Sequence, residues 1–165
     1  MTDLSSQNRS EEYLTTLLQY YEEEVSGIAY FRALMDYLGE SEKLELLAEV
    51  EVHAAKVMLP LIEKYALQPR AKDILKAEGK ADARNHQNFD WDQLIDHIIT
   101  EYPGYIDDFE KLYEIAPMED RPFIDTLTQH EIAAIEFAKR ELTNRADSTI
   151  PLTEYISKVS NHIIH

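Results

Sequence analysis

The chain contains no cysteine, which excludes disulfides and thiolate metal sites and fits a reducing compartment. Four glycines in 165 residues are too little punctuation for the many tight turns of an all-β domain. No apolar run approaches the roughly 18 residues a membrane-spanning helix needs. The start, MTDLSSQNRSEE, lacks the basic and apolar parts of a secretory leader, so the expectation is a soluble, cytoplasmic protein. Basic residues are scarce as well, 16 against 32 acidic, for a net charge of −16. Such a charge repels phosphate backbones and anionic bilayers, so neither nucleic acid nor a membrane is an expected partner.

What is present reads as helix. A hydrophobic share of 44% beside 29% charged residues is that of a globular protein, and the length suits one domain, 1–165, with one core. Residues 1–10 are polar and read as a frayed start, with Ser10 as an N-cap ahead of Glu11 and Glu12. Leu14, Leu17, Tyr21, Ile28, Phe31, Met35 and Leu38 recur at three- and four-residue steps, predicting a helix over about 11–38 that Gly39 ends. Ser41 is placed to cap a second helix, striped by Leu44, Leu47, Ala48, Ala54, Met58, Leu61, Ile62 and Tyr65 as far as Leu67-Gln68-Pro69.

Residues 67–90 read as a crossover, with a short helix over Lys72–Lys80 and then a loop, ADARNHQNFD. The stripe resumes at Trp91 and runs through Leu94, Ile95, Ile98, Tyr102, Tyr105, Phe109 and Leu112. Pro103 inside it is expected to kink or split the helix near Tyr102. After Pro117 a fourth helix spans about 119–142, and the 144–165 tail carries an amphipathic segment from Leu152 to Ile164 that docks on the rest. The fold class is therefore all-α: an antiparallel up-down four-helix bundle with a long crossover between helices two and three and a short C-terminal helix. A homodimer through the long helices is an expectation of the same kind.

Projecting each helix at about 100° per residue separates inward from outward polar groups. Glu24 lies near the centre of its apolar stripe and Glu51 at the middle of the next, whereas Glu49 and His53 project to the opposite face. His130 and Glu131 flank the stripe of the fourth helix, and Glu141 falls on it. Tyr102 and Tyr105 sit near the centre of the third, as candidates to line a small-molecule or cofactor cavity, with Glu101 at the edge. His86, His97, His162 and His165 read as solvated. Carboxylates inside an apolar bundle must be protonated, hydrogen-bonded, paired or bound to metal. Two explanations fit: one or two iron or manganese ions, or a metal-free hydrogen-bonded cluster of Glu24, Glu51, His130 and the tyrosines. A hairpin centred near Gly39–Ser41 would offset Glu24 and Glu51 by roughly 7 Å at 1.5 Å per residue.

Residues 11–143 resemble the ferritin-like superfamily, the group of ferritins, bacterioferritins and rubrerythrins. Glu24 in YYEEEVSGIAYFRAL resembles the first-helix ligand of that family, and Glu51 in LLAEVEVHAAKVML the Glu of its second-helix Glu-x-x-His motif, with Ala54 in place of His. In a second register His53 takes the His position and Val50 the Glu position. Glu131 in TQHEIAAIEFAKREL resembles the fourth-helix Glu, with Ala134 where His would follow, and IITEYPGYIDDF puts Ile98 or Tyr102 where the third-helix Glu would be. The resemblance implies a metal-binding protein, iron or manganese, with Glu24, Glu51, His130, Glu131 and His53 as candidate ligands and an oxidoreductase activity using dioxygen or peroxide. The alternative is a metal-free bundle acting as a small-molecule-binding or protein-interaction module.

Overall fold

The computed structural model describes residues 4–163, the side chains of 162 and 163 excepted. His165 and the side chain of His162 therefore lie outside the described residues. Among these, the chain forms six α-helices and no strand: α1 Leu4–Leu34, α2 Ser41–Lys64, α3 Lys72–Asn85, α4 Trp91–Ile115, α5 Arg121–Thr143 and α6 Ile150–Ile163. Short 3₁₀ turns at Met118–Asp120 and Arg145–Asp147 lead into α5 and α6. No described helix is long and apolar enough to cross a membrane.

Helix boundaries depart from the periodicity in several places. Residues 4–10 are exposed but helical, continuous with α1, so Ser10 is not a cap; its hydroxyl donates to the Ser6 carbonyl at 3.0 Å. α1 stops at Leu34, before Gly39, because the chain tightens through 3₁₀-type bonds from Met35, Asp36 and Tyr37 back to Arg32, Ala33 and Leu34. The residue before α2 is Glu40, left-handed at φ 64° with no side-chain cap, and Ser41 is already helical. α3 runs on to Asn85 through much of the expected loop because Leu75, Gly79 and Ala83 form a buried row along it. Pro103 does not split α4. Ile98, Tyr102, Phe109 and Leu112 bury the helix on both sides of the proline, which offsets the single backbone hydrogen bond it forfeits. At the start of α4, Asp90 accepts from the Gln93 amide at 2.8 Å while the Gln93 side chain accepts from the Asp90 amide at 2.9 Å, closing a capping box.

The buried apolar residues fall into two clusters. One joins the C-terminal part of α1 to the start of α2, the first half of α4, the second half of α5 and α6. The other joins the first part of α1 to the end of α2, the end of α4 and the start of α5. α1 and α5 thus run one way and α2 and α4 the other, and α3, packed on α1, carries the chain back between them. α6 lies against α2 and α5. Each end of the molecule is closed by a buried acid with partners. Asp120 accepts from Tyr13 Oη at 2.8 Å, from Lys64 Nζ at 2.7 Å and from Tyr65 Oη. Glu141 accepts from Lys43 Nζ at 2.9 Å and from Trp91 Nε1 at 2.7 Å.

A candidate metal centre between the two cores

Glu24, Glu51, His130 and Glu131 are all buried and sit in the layer that separates the two apolar clusters. Glu24 lies ten residues before the end of α1 and Glu51 ten residues after the start of α2, so the two are level. The offset expected from a hairpin at Gly39 disappears because α1 ends five residues earlier. His130 and Glu131 reach the same depth from the middle of α5, as their contacts show.

The four side chains converge on one atom. His130 Nε2 is 2.8 Å from Glu131 Oε1, 3.0 Å from Glu24 Oε2 and 3.5 Å from Glu51 Oε2. Its other ring nitrogen, Nδ1, donates to the Leu127 carbonyl within hydrogen-bonding distance, which fixes the ring and leaves Nε2 facing the three carboxylates. None of the three oxygens lies where an Nε2–H could donate to it: Nε2, Glu24 Oε2 and Glu51 Oε2 all lack a hydrogen-bond partner, as does Glu131 Oε2.

The electrostatics describe the same crowding. Burial alone would lower His130, but Glu24, Glu131 and Glu51 together hold it well above its usual range. Burial and the adjacent Glu51 carboxylate push Glu24 well up, while contacts with Glu24 and His130 overcome burial and bring Glu51 down. The two glutamates titrate as a pair that keeps a proton on the Glu24 side. Burial also raises Glu131, against the pull of His130. Positive charge is favoured at this point, and a proton on Nε2 supplies it without an aligned acceptor.

The donors fit a metal. Two ligands at right angles, each on a bond of about 2.1 Å, lie about 3 Å apart, close to the contacts around Nε2. One donor atom from each of Glu24, Glu51 and His130 falls within 4.8 Å of the others, and the Leu127 carbonyl fixes the ring from behind as outer partners of ligating histidines do. Carboxylate oxygens with one imidazole and no sulfur suit iron, manganese or zinc.

The site opens into a cavity of about 300 Å³. Tyr102, buried, and Tyr105, 40% exposed although placed near the centre of the stripe, both line it. His53 is not brought in: its Nδ1 packs against the Glu49 carbonyl at 2.8 Å, one turn back on α2. Of the histidines read as solvated, His86 is half-buried and its Nδ1 lies 2.7 Å from Tyr30 Oη. His97 is half-buried beside it, with ring centroids 4.9 Å apart. Burial and His97 lower the His86 ring. Both line the cavity, His86 at the end of the extended α3 and His97 from α4.

Tyr155 escaped the sequence reading. It is buried, its ring centroid is 6.2 Å from that of His130, and its hydroxyl has no partner. Its place on the buried face of the C-terminal amphipathic segment was readable; its neighbour was not. Gly27 has its signal in the missing side chain, since a Cβ there would stand 3.2 Å from Glu51 Cδ.

No protein-family model matches the chain, and neither a curated protein nor a solved structure is similar to it.

Proposed function

We propose that the protein is a metal-binding helical bundle of the ferritin-like kind, holding iron or manganese between Glu24, Glu51 and His130 with Glu131 as a further donor. The observation that carries this reading is the set of three buried carboxylate oxygens around His130 Nε2, none of them aligned for a hydrogen bond. The molecule supplies its own comparison. The acids buried at its two ends, Asp120 and Glu141, each have an ammonium group and further donors, whereas the acids in the middle have one imidazole among three. Stability alone would favour partnering or removing them. The helix directions, with a long crossover from α2 to α4, agree with a ferritin-like topology, and the inward glutamates of α1 and α2 agree with that family's ligands.

Iron or manganese with open positions facing the cavity would supply activation of dioxygen or peroxide, making an oxidoreductase the expected activity. The roles of the chain's own residues follow from their places. His130 is oriented by Leu127, Glu24 and Glu51 bring charge from the facing hairpin, and Tyr30, Tyr102, Tyr105 and Phe109 confine what enters the cavity. The test is metal analysis of protein produced in iron- and manganese-supplied cells. The expected result is near-stoichiometric metal in the wild type and loss of it in Glu24→Gln with Glu51→Gln. Substoichiometric metal in the wild type, or occupancy unchanged in the double variant, would sink the reading.

One observation favours a metal-free binding module instead. Ala54 and Ala134 are buried where a complete di-metal site would carry histidines, and the adjoining cavity is walled by aromatic rings. A thermal-shift screen in which organic ligands stabilise the protein and metals do not would select it.

A further inference from the structure

On a protein with twice as many acids as bases, the cations are unevenly spent. A surface groove of about 830 Å³ runs between α2 and α3 with α1 as its floor. Arg32, Lys56, Lys72, Lys76, Lys80 and Arg84 line it, with Asp36 as the one acid. Arg32 is committed to Glu45 at 3.0 Å and Glu49 at 3.1 Å. The other five are exposed and form no ion pair with any described residue.

Four of those five stand at four-residue steps on α3. Leu75, Gly79 and Ala83 seat that helix on α1, and the next residue in each case, Lys76, Lys80 or Arg84, is turned about 100° further round onto the groove side. The approach is close: a Cβ on Gly79 would fall 2.2 Å from the Ser26 carbonyl oxygen. Like charges at this spacing repel along a helix. A stripe of them makes no ion pair with any described residue that would stabilise the fold.

We propose that this groove docks an acidic amphipathic helix of a partner protein. The floor is apolar and half-buried, with Ile28, Ala29, Ala33 and Val52 between the charged walls, so the ligand has an apolar stripe. Cations recur along about 18 Å of α3, from Lys72 to Arg84 at 1.5 Å per residue, so the ligand carries its negative charge repeatedly over about three helical turns. An acyl carboxylate carries its charge at one end. A nucleic acid backbone would face the net charge of −16 and has no use for an apolar floor.

The experiment is selection from a phage-displayed library of helical peptides of about 12 residues against the whole protein. The strongest binder is then measured by fluorescence anisotropy. The expected binders carry Asp or Glu at three- and four-residue steps beside an apolar stripe. Their affinity falls about tenfold or more in high salt, and falls likewise in Lys76→Glu with Lys80→Glu, a variant whose thermal melt is checked against wild type. Should that variant fold poorly, Lys76→Gln with Lys80→Gln replaces it. Basic or neutral binders, or binding indifferent to these substitutions, overturn the proposal. So does tighter binding to a DNA duplex or to phosphatidylserine vesicles than to the peptide. Self-association of the wild type that the substitutions abolish also overturns it, since the groove would then belong to a second copy.

Discussion

Around His130 three buried carboxyl groups share one imidazole, with a proton kept on the Glu24 side. Glu24→Gln imitates that protonated carboxyl while keeping the shape, and the metal-free variant is expected to stay within about 1 kcal/mol of wild-type stability while binding metal less well. A larger loss of stability in the metal-free variant would mean that Glu24 is a structural partner and not a donor. Asp120 behaves in the opposite way. Burial by itself would raise its carboxyl, but hydrogen bonds from Lys64, Tyr65 and Tyr13 outweigh it and leave Asp120 below its usual value of 3.8. A depressed native value means the stabilisation is complete above about pH 4 and is lost as pH falls through the native value. Asp120→Ala is therefore expected to cost about 2 kcal/mol near neutral pH and progressively less under strong acid, read from chemical melts at several pH values. Projection along single helices made Glu24, Glu51, His130, Glu131 and Glu141 readable, because each is buried by its own stripe. It could not reach Asp120, which precedes α5 in a 3₁₀ turn, nor join Tyr155 to His130, since that contact depends on how α6 lies on its neighbours.

At the level of the helices, two residues occupy backbone conformations that favour glycine. Ala66 follows α2 at φ 51°, and the Leu67 and Ala66 amides bond back to the Ile62 and Glu63 carbonyls at 3.0 and 3.1 Å, the paired bonds of a Schellman turn. Ala66→Gly is expected to stabilise the protein by about 1 kcal/mol; a fall in thermal midpoint would refute that reading of the turn. Gly79→Ala should act in the other direction, because its Cβ would meet the Ser26 carbonyl and push α3 off α1. Proteolysis within 67–90, faster in the variant than in wild type, is the measurement. Helix existence was legible throughout. Boundaries were not, and the error mattered most at α1, where ending the helix at Gly39 misplaced Glu24 relative to Glu51. A glycine marks where a chain is free to turn. Here the turn came earlier, and the left-handed residue is Glu40.

For the molecule as a whole, a charge of −16 means self-repulsion that salt screens. The melting temperature is accordingly expected to rise between low and moderate ionic strength in sodium chloride; a flat or falling response would show that the ion pairs outweigh the repulsion. The sequence conveyed the total charge and hid its arrangement. That Lys72, Lys76, Lys80 and Arg84 face an apolar floor depends on how three helices meet.

The buried acid layer also bears on how the chain finds its alignment. With apolar side chains above and below, α1 and α2 could slide by a turn at little cost if every layer were alike. A slip of one turn would move Glu24 away from His130 and set it against Leu, Ala or Met in one of the two cores, where a carboxylate has neither water nor a cation. The buried acid layer is therefore also the molecule's vernier mark, since only one alignment of the helices brings all four side chains to the same depth.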